Sequence, residues 1–197
     1  MQLLVPPEPV VYLVDVHVLG AQAFTFTVDH DISLKSILER GDIYKVFFDV
    51  RNGSDALCSH FGVHLAGIID LQVIEYATRQ PTGKLVNGLA ECITNDLPYN
   101  PGWSATKAEG RRLFAPEVGE KYEVFVQRPM PENIVKYCEQ DVILIPQLLA
   151  RYGSVLRPGV AAQLQVIIDE RVQLSKTTTF NGKGSHMAIG PNLEPLR

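Results

Sequence analysis

Short β-branched runs crowd the first seventy residues, and apolar residues at helical spacing dominate the rest. Residues 10–16 (VVYLVDV) and 44–50 (YKVFFDV) are too short for a helix and too apolar for a loop, so each predicts a buried strand. Residues 23–28 (AFTFTV) alternate like a second strand, and 66–69 (AGII) predict a further short one. Helices are expected where apolar residues recur every three or four positions. Leu34, Ile37 and Leu38 follow Ser33, a natural N-cap, over 33–39. Residues 51–54 (RNGS) read as a turn that opens a helix over 55–61, which Gly62 ends. Asp70 is placed to cap a helix running to 78, and 89–95 predicts another. The span 95–128 shows no clear period, with Trp103 and Phe114 as its expected anchors in the core. A long helix is expected over 132–152, its stripe running from Ile134 through Cys138, Val142 and Ile145 to Tyr152. Pro146 should kink or split it. A last amphipathic helix is expected over 158–174. Strands first and helices after predict an α/β fold with a mixed central sheet flanked by helices. The expected boundaries are 1–175 for one domain and 176–197 for an extended or mobile tail.

Composition narrows the setting. The chain has 197 residues, 46% hydrophobic and 20% charged, with formal net charge −4. It can bury a core and is not a disordered segment. No apolar run of about 18 residues occurs, so no membrane helix is expected. The opening MQLLVPPEPV lacks a basic n-region and breaks at Pro6-Pro7, so no secretory signal is expected. Cys58, Cys92 and Cys138 are odd in number and form no Cys-x-x-Cys pair. That speaks against a disulfide framework or structural zinc site and for an intracellular protein, cytoplasmic or nuclear. The pI of about 5.7 excludes nucleic-acid binding by bulk charge but leaves room for a local groove.

Three segments could carry chemistry. In 15–17 (DVH), Asp15 and His17 are i and i+2 on the expected strand and share a face. A carboxylate suits Mg²⁺ or Mn²⁺, and the imidazole shifts preference toward Mn, Zn or Fe. The plainer alternative is an Asp capping a turn above a packed His. In 137–141 (YCEQD), Tyr137 and Asp141 lie one turn apart on one helical face. The carboxylate could hold a metal while the phenol positions a water or a scissile phosphate. In 47–57 (FFDVRNGSDAL), a strand runs into a polar turn and a helix, a place where ligands meet the end of a sheet. Ordinary turn and cap punctuation explains it as well. Arg51 could meet a phosphate or neutralise Asp49. Lys107, Arg111 and Arg112 form either a contact for a nucleic-acid backbone or a solvated face. His60 and His64 are candidate extra metal ligands or plain surface residues.

Taken in chain order, 15–17, 47–57 and 137–141, the three segments resemble the motifs of the DEDD exonucleases. Over roughly 11–153 the chain resembles the DEDDy 3′–5′ exonuclease domain of the ribonuclease D-like group, in the manner of fungal and animal 3′–5′ exonuclease domain-containing proteins. The stretches KVFFDVRNGSDALCSHFGVHLAGIIDLQVIEYATR and YCEQDVILIPQLLARYG carry most of the likeness. The resemblance implies a ribonuclease H-like fold and two-metal hydrolysis, with Mg²⁺ or Mn²⁺, at the 3′ end of RNA or single-stranded DNA. The family's carboxylates follow Asp-x-Glu, Asp and Asp, and a Tyr four residues before the last Asp orients the attacking water. Asp15 matches the first Asp, and His17 stands where Glu is expected. Gly53 aligns with the second-motif Asp, with Asp55 and Asp49 nearby. Tyr137 and Asp141 match the third motif. The implied catalytic residues are Asp15, Tyr137 and Asp141. The implied metal ligands are Asp15, His17 and Asp141, with Asp55 or Asp49, and Arg51 and Lys107 are implied substrate contacts. Two Mg²⁺ ions ~3.5–4 Å apart need several negative charges between them. The His17 and Gly53 departures remove two. A single ion on Asp15, His17 and Asp141 is the reduced expectation, with Zn or Fe admitted by His17. Three readings follow: a weakened exonuclease, an inactive scaffold that binds nucleic acid or protein, or a mononuclear metal site acting on a small molecule.

Overall fold

The computed structural model describes residues 1–28, 32–80, 83–116, 121–157 and 159–193. The turn expected over 29–31 lies outside them. β1 (Gln2–Leu4) and β2 (Val11–Leu13) form an antiparallel pair with Leu3 opposite Tyr12. The strand expected over 10–16 stops early because Asp15 becomes a cap. Its carboxylate accepts from Val18 N–H at 3.1 Å and starts α1 (Val16–Leu19). The alternating stretch 23–28 folds as α2 (Gln22–Thr25) and then β3 (Thr27–Val28), which pairs with β4 (Ile32–Ser33). One helical turn sends Phe24 inward, 4.7 Å from the Phe61 ring, and leaves Thr25 and Phe26 exposed. Ser33 caps α3 (Leu34–Glu39) as expected, in reciprocal bonds with Ser36.

β5 (Lys45–Phe47) runs parallel to β6 (Ile68–Asp70), with Val46 opposite Ile69. Between them α4 (Val50–Phe61) begins at Val50, so 51–54 are helix and not turn. The local Asn-Gly turn preference loses to a long-range bond. Asp70 accepts from Asp49 N–H at 2.9 Å and from Val50 N–H at 3.3 Å, satisfying donors that a helix start leaves open. Gly62, at φ +60°, ends α4 in the left-handed region that glycine enters freely. Asp70 also caps α5 (Leu71–Thr78) through Gln72 N–H at 3.1 Å, and α6 (Leu89–Asp96) follows.

The span without a clear period contains α7 (Pro101–Arg111). Asn100 caps it onto Trp103 N–H at 3.0 Å, and Pro101 sits in the first turn, where its missing N–H costs nothing. The long helix expected over 132–152 is two, α8 (Glu132–Glu139) and α9 (Ile145–Gly153), with Pro146 in the first turn of the second. α10 (Val160–Ser175) packs against α4, α5 and β6, while α5 and α6 pack on α9. Val50, Ile68, Leu71, Leu148 and Leu164 centre the main core. Phe114, Ile134 and Cys138 centre a smaller one under α7 and α8. After α10 the chain runs back over the domain. Gly190 N–H donates to Lys84 O at 2.9 Å, and Arg51 Nη2 donates to Met187 O at 2.8 Å. Among the described residues no helix is long and apolar enough to cross a membrane.

Candidate functional site

α7 and α8 build the third-motif region. They approach closely because Gly110 has no side chain: a Cβ there would lie 2.5 Å from Tyr137 Cβ. Trp103 Nε1 donates to Gln140 O at 3.0 Å and ties α7 to the turn that presents Asp141. Lys107, one turn after Trp103, then reaches both motif residues. Its Nζ lies 2.5 Å from Asp141 Oδ1 and 3.4 Å from the centre of the Tyr137 ring. The Tyr137 ring is held edge-on by Phe114 at 5.0 Å. Phe125 packs on Phe114 at 5.0 Å, and exposed Tyr122 lies 5.6 Å from Phe114. Lys107 is thus an ion-pair and cation–π partner for the third motif.

Asp15 is also taken. Arg128 forks onto it, with Nη2 2.5 Å from Oδ1, and donates to Phe125 O at 3.0 Å. The guanidinium holds the Asp15 carboxyl down, from 3.8 to about 2, helped by the Val18 N–H. Gln2, Asp15, His17, Arg128, Met130 and Cys138 line part of a cavity of about 350 Å³. His17 is exposed on α1, just after the Asp15 cap, and the two do not share a strand face as the sequence suggested. Cys138, on α8, joins the Asp15 cavity to the third-motif helix.

The second-motif region does something else. Asp49 sits at φ +57°, and its carboxylate is clasped by Arg51, Nε to Oδ1 at 2.6 Å and Nη2 to Oδ2 at 2.8 Å. Beneath it Asp70 is fully buried and accepts from Arg171 Nη1 at 3.2 Å besides its three backbone donors. Burial pushes the Asp70 carboxyl up against the pull of Arg171, and burial lowers Arg171. Gly53 lies within α4, where a Cβ would make ordinary contact with the Phe47 ring at 3.6 Å. Asp55 is half-buried on α4. His60 and His64 are exposed near the end of that helix, with His64 Nδ1 3.8 Å from Cys58 Sγ.

The structure therefore gathers Lys107, Tyr137 and Asp141 in one place and Asp15, His17 and Arg128 in another. Among the described residues no hydrogen bond or ion pair links Asp49, Asp55 or Arg51 to either. Arg128 and the Asp70–Arg171 pair were not anticipated. Their partners lie 113 and 101 residues away, beyond any local pattern. As they stand, both carboxylates are paired with cations. A pair of divalent ions would have to displace Lys107 and Arg128 and lacks a second-motif carboxylate at Gly53, so the residues present do not fit two ions.

No protein-family model matches the chain. It is 28% identical to piRNA biogenesis protein EXD1 of Mus musculus over 165 residues, covering 81% of this chain and 26% of that protein. It is 30% identical to the Homo sapiens protein of the same name over 146 residues, covering 71% of this chain and 26% of that protein. The chain thus spans about a quarter of the length of these relatives. The Trypanosoma brucei RNase D structure in complex with GMP superposes with a TM-score of 0.75 at 23% identity, over 96% of this chain and 55% of that one. The same enzyme in complex with RNA U12 gives 0.73 at 22%, over 96% and 61%. With TM-scores of 0.73–0.75 over 96% of its length, the chain has the fold of the RNase D exonuclease domain, and in sequence it is similar to the EXD1 proteins.

Proposed function

We propose that this domain binds single-stranded nucleic-acid ends, RNA in the first instance, and does not carry out two-metal hydrolysis. The observation that carries this reading is Lys107, which occupies Asp141 and Tyr137 at once. A metal-bound phosphodiester reaction needs that carboxylate free for a divalent ion and the phenol free to orient water. Here an ammonium stands on both. Support for RNA comes from the RNase D neighbour crystallised with RNA and from relatives named for piRNA biogenesis. The surface suits the ligand locally. Exposed Tyr122, stacked near Phe114 and Phe125, offers a ring for a base, and Arg128 and Lys107 can exchange a carboxylate for a phosphate. Net charge −4 keeps the interaction local, and phosphate contacts from Arg128 and Lys107 make it salt-dependent. A reducing intracellular compartment, cytoplasmic or nuclear, suits the free thiols Cys58, Cys92 and Cys138.

The test uses a short labelled oligouridine, with anisotropy for binding and gel analysis for cleavage in Mg²⁺ and in Mn²⁺. Binding that weakens with salt and with Tyr122→Ala, and no shortening of the oligonucleotide, is the expected result. Shortening from the 3′ end in Mn²⁺ that Asp141→Asn abolishes would restore the exonuclease reading, with one ion held by Asp15, His17 and Asp141.

A further inference from the structure

A second group of ligating side chains lies away from Asp15 and Asp141, where α5, α6 and α9 meet. Glu75 projects from α5, and Cys92 and Asp96 are i and i+4 on one face of α6. A Glu75 carboxylate oxygen, Cys92 Sγ and an Asp96 carboxylate oxygen all lie within 4.8 Å of one another. Cys92 is 0% exposed and Glu75 3%, while half-buried Asp96 opens the cluster to the surface.

The two oxygens of Glu75 have unequal surroundings. Oε1 accepts from Asn87 Nδ2 at 3.1 Å and pairs with Arg79 Nε at 3.1 Å. Oε2 is buried with no hydrogen-bond partner. A buried carboxylate oxygen without a donor is costly, and native structures leave few of them. Donors on one oxygen that leave the other bare are what orients a carboxylate toward a metal. Asp96 has a matching brace, since Tyr152 O–H donates to its Oδ2 at 2.8 Å.

We propose that Glu75, Cys92 and Asp96 form a zinc-binding site. One thiolate with two carboxylates suits a borderline-soft ion, whereas Mg²⁺ takes oxygen alone. The charges close: Zn²⁺ and the Arg79 guanidinium offset Glu75, Asp96 and the Cys92 thiolate, so no net charge is left inside. On binding, the Cys92 S–H bond breaks, an S–Zn bond forms and the proton leaves to solvent. Three protein ligands leave a fourth tetrahedral position for water. A single cysteine carries no Cys-x-x-Cys signature, so the sequence does not announce such a site.

The experiment titrates the chelator-stripped chain with ZnSO₄ and, separately, with CoCl₂. Expected are one zinc per chain, a Tm raised by about 5–10 °C at about a hundredfold excess over Kd, and thiolate-to-cobalt charge-transfer absorption. Cys92→Ser should remove that absorption, and Glu75→Gln should weaken binding by roughly 10–100-fold. Cys58→Ser, Cys138→Ser and Asp141→Asn should leave both readouts intact. If Cys92→Ser does not fold, the cobalt band in Cys58→Ser and Cys138→Ser, with Glu75→Gln, decides the question. The proposal is overturned by no bound zinc, by binding indifferent to Glu75→Gln and Cys92→Ser, by a band lost in Cys58→Ser or Cys138→Ser, or by binding lost only in Asp141→Asn.

Discussion

Two ionic clusters use the same residue types and do opposite work. In the inner one Asp70 is 0% exposed, with Arg51 and Arg171 at 7% and 8%, and Asp70 holds the starts of α4 and α5. In the outer one the Asp15 and Asp141 side chains are each 35% exposed and face Arg128 and Lys107. A buried ion that loses its partner is expensive, whereas a half-exposed pair is worth little and can exchange partners. The inner cluster is therefore architecture, and the outer pairs are where Arg128 and Lys107 can exchange a carboxylate for a phosphate. FFDVRNGSD, which the sequence leaves open between ligand chemistry and turn-and-cap punctuation, contributes to architecture, because Asp49 and Arg51 clasp each other over Asp70.

The contrast breaks most visibly at Asp70. Asp70→Ala leaves Arg171 buried without its acid and strands the N–H groups of Asp49, Val50 and Gln72. It should cost about 3–5 kcal/mol in urea unfolding, and adding Arg171→Met should recover part of that loss. A cost below ~1 kcal/mol would make the inner cluster no different from the outer pairs.

What was legible in the sequence were features decided within one helical turn. Ser33, Gly62 and Asp70 act as the caps their neighbours imply. Some of the misread features were decided from afar, and others turned on local chemistry that two structures share. Asn52-Gly53 has a turn's local chemistry, but Asp70 reaches across from β6 and starts the helix before it. Residues 101–111 look like loop because Pro101 and Gly102 are counted as breakers, yet Pro101 favours a first turn. Asp15 and His17 keep the spacing of a strand face, but an Asp that finds the N–H three residues on starts a helix instead. At the candidate site, Tyr137 and Asp141 were placed by their own spacing. The two cations that answer the carboxylates were harder. Lys107 was expected to meet substrate, and nothing near Arg128 points to Asp15.

Two substitutions sharpen the outer side of the comparison. Gly110→Ala puts a methyl into Tyr137, an overpacking cost of ~1–3 kcal/mol that the ~1 kcal/mol gain in helix propensity offsets in part. Thermal unfolding should show a net loss of up to about 2 kcal/mol. Lys107→Met keeps the stem and removes the charge, and should cost below ~1 kcal/mol. Its larger effect should be on ligands: Mn²⁺ should raise the Tm of Lys107→Met more than that of the unsubstituted chain, because Asp141 is released. An equal response in both proteins would mean that Lys107 does not guard that carboxylate.

The smallest effect separates the clusters by sign. Arg128 lowers the Asp15 carboxyl from 3.8 to about 2. A lowered folded-state value stabilises fully above pH 3.8, and that stability drains away as pH falls through about 2. Asp70 is raised by burial, so its contribution runs the other way, present below the ordinary carboxylate range and lost as pH rises through its folded value. Arg128→Gln should lower the neutral plateau of the Tm-against-pH curve slightly and flatten its acid limb between about pH 4 and pH 2, so that the two curves converge at the acid end. An acid limb identical to that of the unsubstituted chain would mean that Arg128 does not hold Asp15 in solution. Asp15 would then be free for a cation from outside, and the outer side of the comparison would rest on Lys107 alone.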